Sequence, residues 1–281
     1  MELKNVKEIV KEKYGSIARQ GTSCCGSTSA CCGGSEPVQI ISKEIGYSEA
    51  ELGMVPEGSN LGLGCGNPLA LSSIREGETV LDLGSGAGFD CFLAAARVGK
   101  NGKVIGVDMT PEMIKRAKDN AKEGHYGNVE FRLGEIEKLP VADSTVDKVI
   151  SNCVINLSPD KGKVFQEAFR VLRPGGNVMI SDIVLLRQLP DFIKDSIQAY
   201  IGCVSGAIHR DEYLKMMEAA GFRDVKVMGE TPFSVEFILN DPTAKTIIEQ
   251  SGIPSDRVKE IAGSVVSVKV YGVKPDGKRV S

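Results

Sequence analysis

Short apolar runs alternate with amphipathic segments through the middle of the chain, between residues 79 and 185. Apolar runs that end at Gly, Asp or Asn are typical of buried strands, whereas apolar residues three or four positions apart are typical of helices. The pattern predicts strands over 79–84, 103–109, 128–134, 146–154 and 177–185, with helices over 89–99, 111–123 and 159–176 between them. Because alternating strands and helices connect through right-handed crossovers, we expect an α/β fold with a mostly parallel central sheet.

The residues before this block follow a different pattern. Helical periodicity covers residues 1–19 and 37–53, and the glycine-rich residues 56–69 form a predicted loop that holds Cys65. Between the two helices lies GTSCCGSTSACCGGSE (21–36), whose small and polar composition predicts another loop.

Beyond residue 186 the periodicity loosens. The sequence there predicts helices over 189–202, 210–221 and 242–250, and strands over 222–229 and 264–273. The chain therefore divides into an N-terminal helical segment with a cysteine-rich loop (1–70), a ligand-binding α/β core (71–186) and a C-terminal, substrate-side α+β region (187–281).

Composition narrows the class of protein and its partners. The 281 residues are 42% hydrophobic and 25% charged, which is ordinary for a soluble globular protein. A net charge of −3 argues against a nucleic-acid partner, because nucleic-acid binding usually needs a basic patch. No apolar run approaches the roughly 18–20 residues of a membrane span, and the N-terminus lacks the apolar stretch of a signal peptide. We therefore expect a cytoplasmic protein without a membrane partner.

Eight cysteines are many for a protein of a reducing compartment, where structural disulfides are rare. Such thiols more often bind something or carry redox chemistry. Four of them crowd the N-terminal loop (Cys24, Cys25, Cys31 and Cys32), and four are scattered (Cys65, Cys91, Cys153 and Cys203). Cys91 lies on the helix after the first strand, where we expect a core residue.

A glycine-rich turn, DLGSGAGFD (82–90), follows the first predicted strand. Its glycines allow a sharp turn and a close backbone approach to a ligand, at the sheet edge where α/β folds bind ligands. The spacing is G-x-G-x-G, which differs from the dinucleotide pattern and argues against a nicotinamide-dependent dehydrogenase.

Acidic residues accompany this turn at the ends of neighbouring strands. Asp82 could accept a hydrogen bond from an amine, and Asp108 could accept from both hydroxyls of a ribose. Glu135 and Ile136 follow the third strand, where an adenine ring could lie. This constellation resembles the class I S-adenosylmethionine-dependent methyltransferases. The resemblance implies a Rossmann-like core, S-adenosyl-L-methionine as cofactor, and a binding site made of Asp82, Gly84, Ser85, Gly86, Asp108, Met109, Glu135, Ile136 and Asn152.

The scattered cysteines lie in distinctive contexts: LGLGCGNP (61–68), VISNCVINLSP (149–159) and IGCVSGA (201–207). Together with the glycine turn they resemble the arsenite S-adenosylmethionine methyltransferases. That resemblance implies that Cys65, Cys153 and Cys203 bind trivalent arsenic and carry catalysis. One further family cysteine lies near the N-terminus, and the sequence leaves open which of Cys24, Cys25, Cys31 or Cys32 corresponds to it.

The chemistry of arsenic suits these residues. Trivalent arsenic is soft and should select thiolates over oxygen ligands, by the softness argument that applies to metals. The family resemblance further implies that arsenite or a thiol conjugate is the substrate. It also implies that arsenic is reduced after methylation by protein thiols, leaving a disulfide that involves Cys65, which thioredoxin or glutathione restores.

Two other functions compete with this interpretation. A methyltransferase acting on a carbon or oxygen atom of a small molecule would need an apolar cavity or a catalytic histidine or carboxylate, yet His125 lies in a predicted turn and His209 precedes a helix that it should cap. A non-enzymatic, thiol-rich metal-binding protein would not need the glycine turn, and the spacing of the N-terminal cysteine pairs is not a standard zinc pattern.

Overall fold

In the computed structural model of the protein, the residues described are 3–20, 36–70, 72–189, 206–232 and 263–277. Their strands are β1 (Thr79–Leu83), β2 (Lys103–Asp108), β3 (Val129–Leu133), β4 (Val146–Asn152), β5 (Leu172–Leu185), β6 (Arg223–Pro232) and β7 (Val265–Val273). Their α-helices are α1 (Leu3–Gln20), α2 (Glu36–Glu44), α3 (Glu49–Gly53), α4 (Phe89–Val98), α5 (Pro111–Glu123), α6 (Lys161–Val171) and α7 (Arg210–Ala219), and a short 3-10 helix covers Ile155–Leu157.

The seven strands form one sheet in the order β3-β2-β1-β4-β5-β7-β6. Strands β1 to β5 pair in parallel, whereas β7 runs antiparallel to both of its neighbours, β5 and β6. The predicted α/β fold with a mostly parallel sheet is confirmed. Because β1 and β4 lie side by side at the centre, the segments that leave their carboxyl ends meet at one edge of the sheet.

Alternation along the central strands supplies two hydrophobic layers. In β1, Leu81 packs into the layer that contains α6 and α7, whereas Val80 faces the layer that contains α4 and α5. In β4, Val149 and Ile150 divide in the same way. This period of two is the reason that a continuous apolar run can be buried on both faces. Each fully buried side chain of this size contributes about 1.5–3 kcal/mol.

The predicted helix over 159–176 is too long at its carboxyl end. Helix α6 stops at Val171, and Pro174, Gly175 and Gly176 belong to an irregular start of β5. The Gly175 amide donates to the Lys274 carbonyl at 2.8 Å, and the Lys274 amide donates to Gly176 at 2.8 Å. These hydrogen bonds to the residue after β7 hold the turn in the sheet. The β4–β5 register shifts at the same place.

The predicted helix over 37–53 is two helices. Gly46 has a φ of 104° and ends the run that contains α2, and Ser48 then caps α3 through a reciprocal pair of hydrogen bonds with Glu51. The predicted loop at 56–69 and the predicted helix over 210–221 are confirmed. Residues 21–35, the helix predicted over 189–202 apart from Leu189, and the helix predicted over 242–250 lie outside the described residues.

Helix α1 packs beside α5 at the carboxyl edge of the sheet. The Arg116 guanidinium donates to the Ala18 carbonyl at 2.9 Å, and Lys7 Nζ lies 2.8 Å from Glu135 and 2.9 Å from Glu137. These contacts place the N-terminal helix over the ligand-binding edge. Among the described residues, no helix combines the length and apolar character needed to cross a bilayer. The three-part division of the chain stays a prediction, although β6 and β7 from its third part complete the sheet.

Candidate active site

A cleft opens at the carboxyl ends of β1, β2 and β4, with α1 and the loop at residues 59–64 on its other side. It encloses about 1100 Å³, including the part that is open to solvent. Every residue predicted to bind the cofactor lines this cleft except Glu135: Asp82, Gly84, Ser85, Gly86, Asp108, Met109, Ile136 and Asn152. The parallel sheet brings these residues together because its strands end at a common edge.

Glu135 lies outside the wall of the cleft. Its side chain is 56% exposed and pairs with Lys7, whereas Glu137 lines the cleft. The Ser158 hydroxyl donates to Glu137 at 2.6 Å, and Lys7 lies 2.9 Å from the same carboxylate. The acidic side chain after β3 that lines the cleft is therefore Glu137.

The glycine turn after β1 depends on left-handed backbone. Gly84 has a φ of 68°, and a side chain there would also overlap Val154. Gly86 has a φ of 52°, and nothing lies within 4 Å of where its side chain would begin. The turn therefore presents bare backbone to the cleft, as a closely approaching ligand requires.

Asp108 fastens this turn to the end of β2. Its Oδ2 accepts from the Gly86 amide at 3.0 Å, and its Oδ1 accepts from the Thr110 amide at 2.8 Å. Desolvation raises the pKa of Asp108, and these hydrogen bonds oppose that rise. The Thr110 side chain also bonds to this carboxylate, and Asp108 still lines the cleft, where it can accept from a ligand hydroxyl.

Two further carboxylates lie under the turn. Cys91 donates to Asp82 at 3.2 Å, and Tyr47 donates to Asp90 at 2.7 Å. Burial, reinforced by repulsion from Asp90, raises the pKa of Asp82 well above its usual range, and burial raises the pKa of Asp90 to about 6. A cationic ligand group in the cleft would offset this repulsion, so the site is electrostatically prepared for a positively charged ligand. Cys91 is fully buried, as its predicted core position requires.

The structure brings two of the three predicted arsenic ligands together. Cys153 follows β4 directly and lines the cleft, and Cys65 lies behind it, on the loop that precedes β1. The Cys65 thiol lies 3.7 Å from the Ser181 carbonyl, and the Cys153 amide donates to the same carbonyl at 2.8 Å. Both cysteines are buried, and their sulfurs lie within 4.8 Å of each other.

Cys153 itself has a strained backbone. Its φ of 58° falls in the left-handed region, which an ordinary side chain rarely adopts. Such outliers cost of order 1–3 kcal/mol and occur mostly where function fixes a side chain direction. Here the turn at Cys153 ends β4 and directs the chain into the 3-10 helix at Ile155–Leu157.

Asn152 holds the Cys65 loop against the end of β4. Its Oδ1 accepts from the Cys65 amide at 3.1 Å, and its Nδ2 donates to the Gly66 carbonyl at 2.8 Å. The same Nδ2 contacts Tyr47 at 2.9 Å and Asp90 at 3.1 Å. On the opposite side, the Ser267 hydroxyl donates to the Cys65 carbonyl at 2.7 Å. The backbone of Cys65 is therefore fixed from two sides.

The glycines beside Cys65 make this fit possible. A side chain at Gly64 would begin 2.6 Å from Asn152 Nδ2, and one at Gly66 would overlap the Ser181 hydroxyl. Sequence reasoning placed Cys65 in a glycine-rich loop, and the structure shows that both glycines are needed for backbone contact with β4 and β5.

The remaining predicted thiols are Cys203, Cys24, Cys25, Cys31 and Cys32, and all five lie outside the described residues. Neither His125 nor His209 lines the described cleft. His209 caps α7, where its ring nitrogen accepts from the Asp211 amide at 3.3 Å, as predicted. The described part of the cleft thus offers no histidine for acid–base catalysis.

Comparison with known proteins identifies the class. A methyltransferase-domain family matches residues 74–221, which is just over half of the chain. The arsenite methyltransferase of Halobacterium salinarum is 49% identical over 83% of this chain and 61% of its own length, and that of Mus musculus is 35% identical over 82% and 61%. The crystal structure of an arsenic(III) S-adenosylmethionine methyltransferase from Chlamydomonas reinhardtii is 31% identical over 85% of this chain and 74% of its own, with a TM-score of 0.63.

The chain belongs to the arsenite methyltransferase family.

The chain nevertheless spans only about three fifths of the length of these two curated arsenite methyltransferases. Family membership confirms the class I methyltransferase fold that the glycine turn and Asp108 predicted. It does not by itself assign a role to individual side chains, and those roles depend on the geometry of the cleft.

Several residues of this site were not predicted from the sequence. Tyr47 joins the Asp90 and Asn152 network from α2–α3, and Val10 and Tyr14 of α1 line the cleft. Asp182 of β5 lies beside the two sulfurs. Only Asp182 had a visible signal in the sequence, since a carboxylate inside an otherwise apolar strand must find buried partners.

Asn152→Ala tests whether this amide positions Cys65 in the cleft. The change removes two hydrogen bonds to the Cys65 loop, each worth about 0.5–1.5 kcal/mol net. We expect the protein to bind phenylarsine oxide, which needs two adjacent thiols, roughly tenfold more weakly. Titration of the reduced protein measures this.

The matched control is Asn128→Ala. Asn128 also donates from a half-buried amide to two carbonyls, those of Ala95 and Gly99, but at the other end of the sheet. It should leave phenylarsine oxide binding unchanged. If Asn152→Ala binds phenylarsine oxide as tightly as Asn128→Ala does, the Cys65 loop does not depend on Asn152.

Proposed function

We propose that the protein transfers a methyl group from S-adenosylmethionine to trivalent arsenic held by cysteine sulfurs. One observation carries the proposal: Cys153 lines the cleft, and its sulfur lies within 4.8 Å of the sulfur of Cys65, which is far from it in sequence. Family membership supports the same substrate. The proposed substrate is arsenite or its conjugate with a small thiol.

The cleft fits the predicted cofactor. The Ser85 hydroxyl lines it, is buried and has no hydrogen-bond partner among the described residues, which indicates a missing ligand contact. Asp108 would accept from the ribose hydroxyls, Ile136 would contact the adenine, and the turn at Gly84 and Gly86 would surround the methionine part. The Asp82 and Asp90 pair would attract its ammonium group. When bound, the sulfonium supplies an electrophilic methyl group.

The thiols would capture arsenic by ligand exchange. Each As–O bond is replaced by an As–S bond, and the thiol proton leaves with the oxygen as water. No base has to hold the sulfur as a thiolate beforehand, since bonding to arsenic removes the proton, much as metal binding does. Cys203, or one of Cys24, Cys25, Cys31 and Cys32, would supply the third sulfur.

Methyl transfer would then need positioning more than acid–base catalysis. The arsenic lone pair forms the As–C bond while the methyl–sulfur bond breaks, so no proton moves. A clamp that holds both partners makes a bimolecular step effectively unimolecular, an effect worth up to about 7–11 kcal/mol. The absence of histidine from the described cleft wall is consistent with this chemistry.

Methylation formally raises arsenic to the pentavalent state. Two thiolates, one of them Cys65, would return two electrons to arsenic and form a disulfide. Thioredoxin or glutathione would then reduce that disulfide by thiol exchange, which suits the predicted cytoplasmic location. Repetition of the cycle would give mono-, di- or trimethylated arsenic.

Incubation with arsenite, isotopically labelled S-adenosylmethionine and a thiol reductant tests the proposal. We expect label in methylated arsenic species, separated and counted by product speciation, and none when the reductant-treated protein is heated first. If the labelled donor is bound but no arsenic species carries the label, the substrate is not arsenite. A screen of small-molecule acceptors would then test the rival carbon or oxygen methyltransferase.

A further inference from the structure

A third potential ligand lies beside the two sulfurs. Asp182 is on β5, next to β4, and its side chain is fully buried. One carboxylate oxygen of Asp182 and the sulfurs of Cys65 and Cys153 all lie within 4.8 Å of one another. Nothing in the proposed methyl transfer uses this carboxylate, because trivalent arsenic selects sulfur.

The Asp182 carboxylate is held in place by its own hydrogen bonds. Its Oδ1 accepts from Asn156 Nδ2 and from the Ile183 amide, both at 2.9 Å, and its Oδ2 accepts from the Tyr213 hydroxyl at 3.0 Å. Carboxylates that bind metals are usually oriented by such outer partners. The Asn156 backbone is a fourth partner, so an ion that binds Asp182 would have to replace one of these hydrogen bonds.

We propose that Cys65, Cys153 and Asp182 form a binding site for a thiophilic divalent cation of the zinc type. A further consequence, which rests on the proposed function, is that such an ion competes with trivalent arsenic for the two sulfurs. The protein would then methylate arsenic only when this cation is scarce.

The ligand set fits zinc better than it fits harder ions. Zinc binds thiolates at about 2.3 Å and carboxylates at about 2.0–2.2 Å, and sites with three protein ligands keep a fourth position for water. Since the three atoms lie at most 4.8 Å apart, one point lies within about 2.8 Å (4.8/√3) of each of them, so shifts of about 0.5–0.8 Å would complete the coordination. Magnesium and calcium would reject the sulfurs.

The net charge of the three ligands is also compatible with a bound divalent cation. Binding releases one proton from each thiol to solvent, so two thiolates and one carboxylate face a dication and one negative charge remains. The ammonium group of Lys161, which is buried nearby and attracts the Asp182 carboxylate, offsets that charge. Because the cleft reaches Cys153, the ion has an entry path that does not cross the core.

Direct zinc titration tests the site without arsenic. The full chain, reduced and freed of metal, carries Cys24, Cys25, Cys31 and Cys32 replaced by serine, and competes with a chromogenic chelator for zinc. We expect one zinc per chain, loss of that zinc in Cys153→Ser, and at least tenfold weaker binding in Asp182→Asn. Glu137→Gln, which alters another buried carboxylate of the cleft whose partners are Ser158 and Lys7, is the matched control and should keep its zinc affinity.

Two further readouts remain informative if Asp182→Asn folds poorly. X-ray absorption of the zinc-loaded parent should show two sulfurs and the remaining ligands as oxygen or nitrogen, and zinc should protect Cys65 and Cys153 from alkylation. A first shell with three or four sulfurs, or an Asp182→Asn variant that folds and binds zinc as tightly as its parent, overturns the proposal.

Competition separates this inference from the proposed function. In the methylation assay, zinc at ten times its Kd should raise the arsenite concentration needed for half-maximal rate roughly tenfold, with no effect on the cofactor. Phenylarsine oxide binding by Asp182→Asn should stay within threefold of the parent, since arsenic does not use the carboxylate. Zinc binding without methylation would refute only the proposed function, and methylation that zinc leaves unchanged would refute the competition.

Discussion

Cys153→Ser is expected to lower methyl transfer to arsenite by at least about a thousandfold, because the thiol supplies much of the positioning that makes the reaction unimolecular. Serine matches cysteine in shape but offers an oxygen, which soft trivalent arsenic binds poorly beside sulfur. The Cys153 side chain does not contribute to the network at Asp108 or Asp82. Affinity for S-adenosylmethionine, measured by calorimetry on the same preparation, should therefore stay within about threefold of the parent.

The control for this variant is Ser151→Ala. Ser151 is also fully buried on β4, two residues before Cys153, and its hydroxyl has no partner among the described residues. The change tests whether any alteration of this strand end reduces turnover. The Ser151→Ala variant should retain nearly full activity. Cys153→Ser with the activity of Ser151→Ala would eliminate the thiol clamp and leave a methyltransferase of unknown substrate.

Asp108→Ala should have the reverse effect and weaken S-adenosylmethionine binding by roughly a hundredfold or more. Hydrogen bonds to a charged acceptor are worth about 1.5–3 kcal/mol each, and this carboxylate would make two to the ribose. Its loss also leaves the Gly86 and Thr110 amides without their acceptor, so the glycine turn itself loosens. Calorimetric titration of the variant with the cofactor measures the change.

Phenylarsine oxide binding should be unchanged in Asp108→Ala, because the thiols lie on the other side of the cleft. Asp119→Ala is the matched control, since it removes an exposed carboxylate from α5 and should alter neither ligand's binding. If Asp108→Ala keeps its cofactor affinity, the ribose lies elsewhere and the orientation of the cofactor in this cleft must be reversed.

Local pattern accounts for most of the sheet. Apolar runs predicted all five parallel strands, because burial on both faces makes such strands continuously apolar. The local pattern was wrong at Pro174–Gly176. These residues were predicted to end a helix, but they lie in the first part of β5. The deciding contact is with Lys274, about a hundred residues away, and no local preference records it.

The candidate site divides in the same way. The glycine turn, Asp108 and the Cys153 context are short segments whose residue types are typical of ligand binding, and the structure places them at one sheet edge as predicted. Their partners are different. Asn152 contacts Tyr47, Asp90 and the Cys65 loop across separations of 62 to 105 residues. The local sequence around an asparagine at a strand end does not predict such distant partners.

The sequence alone determined the fold class and the family, and it predicted which thiols are reactive, because periodicity and motif are properties of neighbouring residues. The tertiary structure decided that Cys65 and Cys153 meet, that Asn152 fixes one of them, and that Asp182 lies beside both. Those facts depend on how separate strands and loops pack, since a buried polar group takes its partners from whatever the fold brings near it.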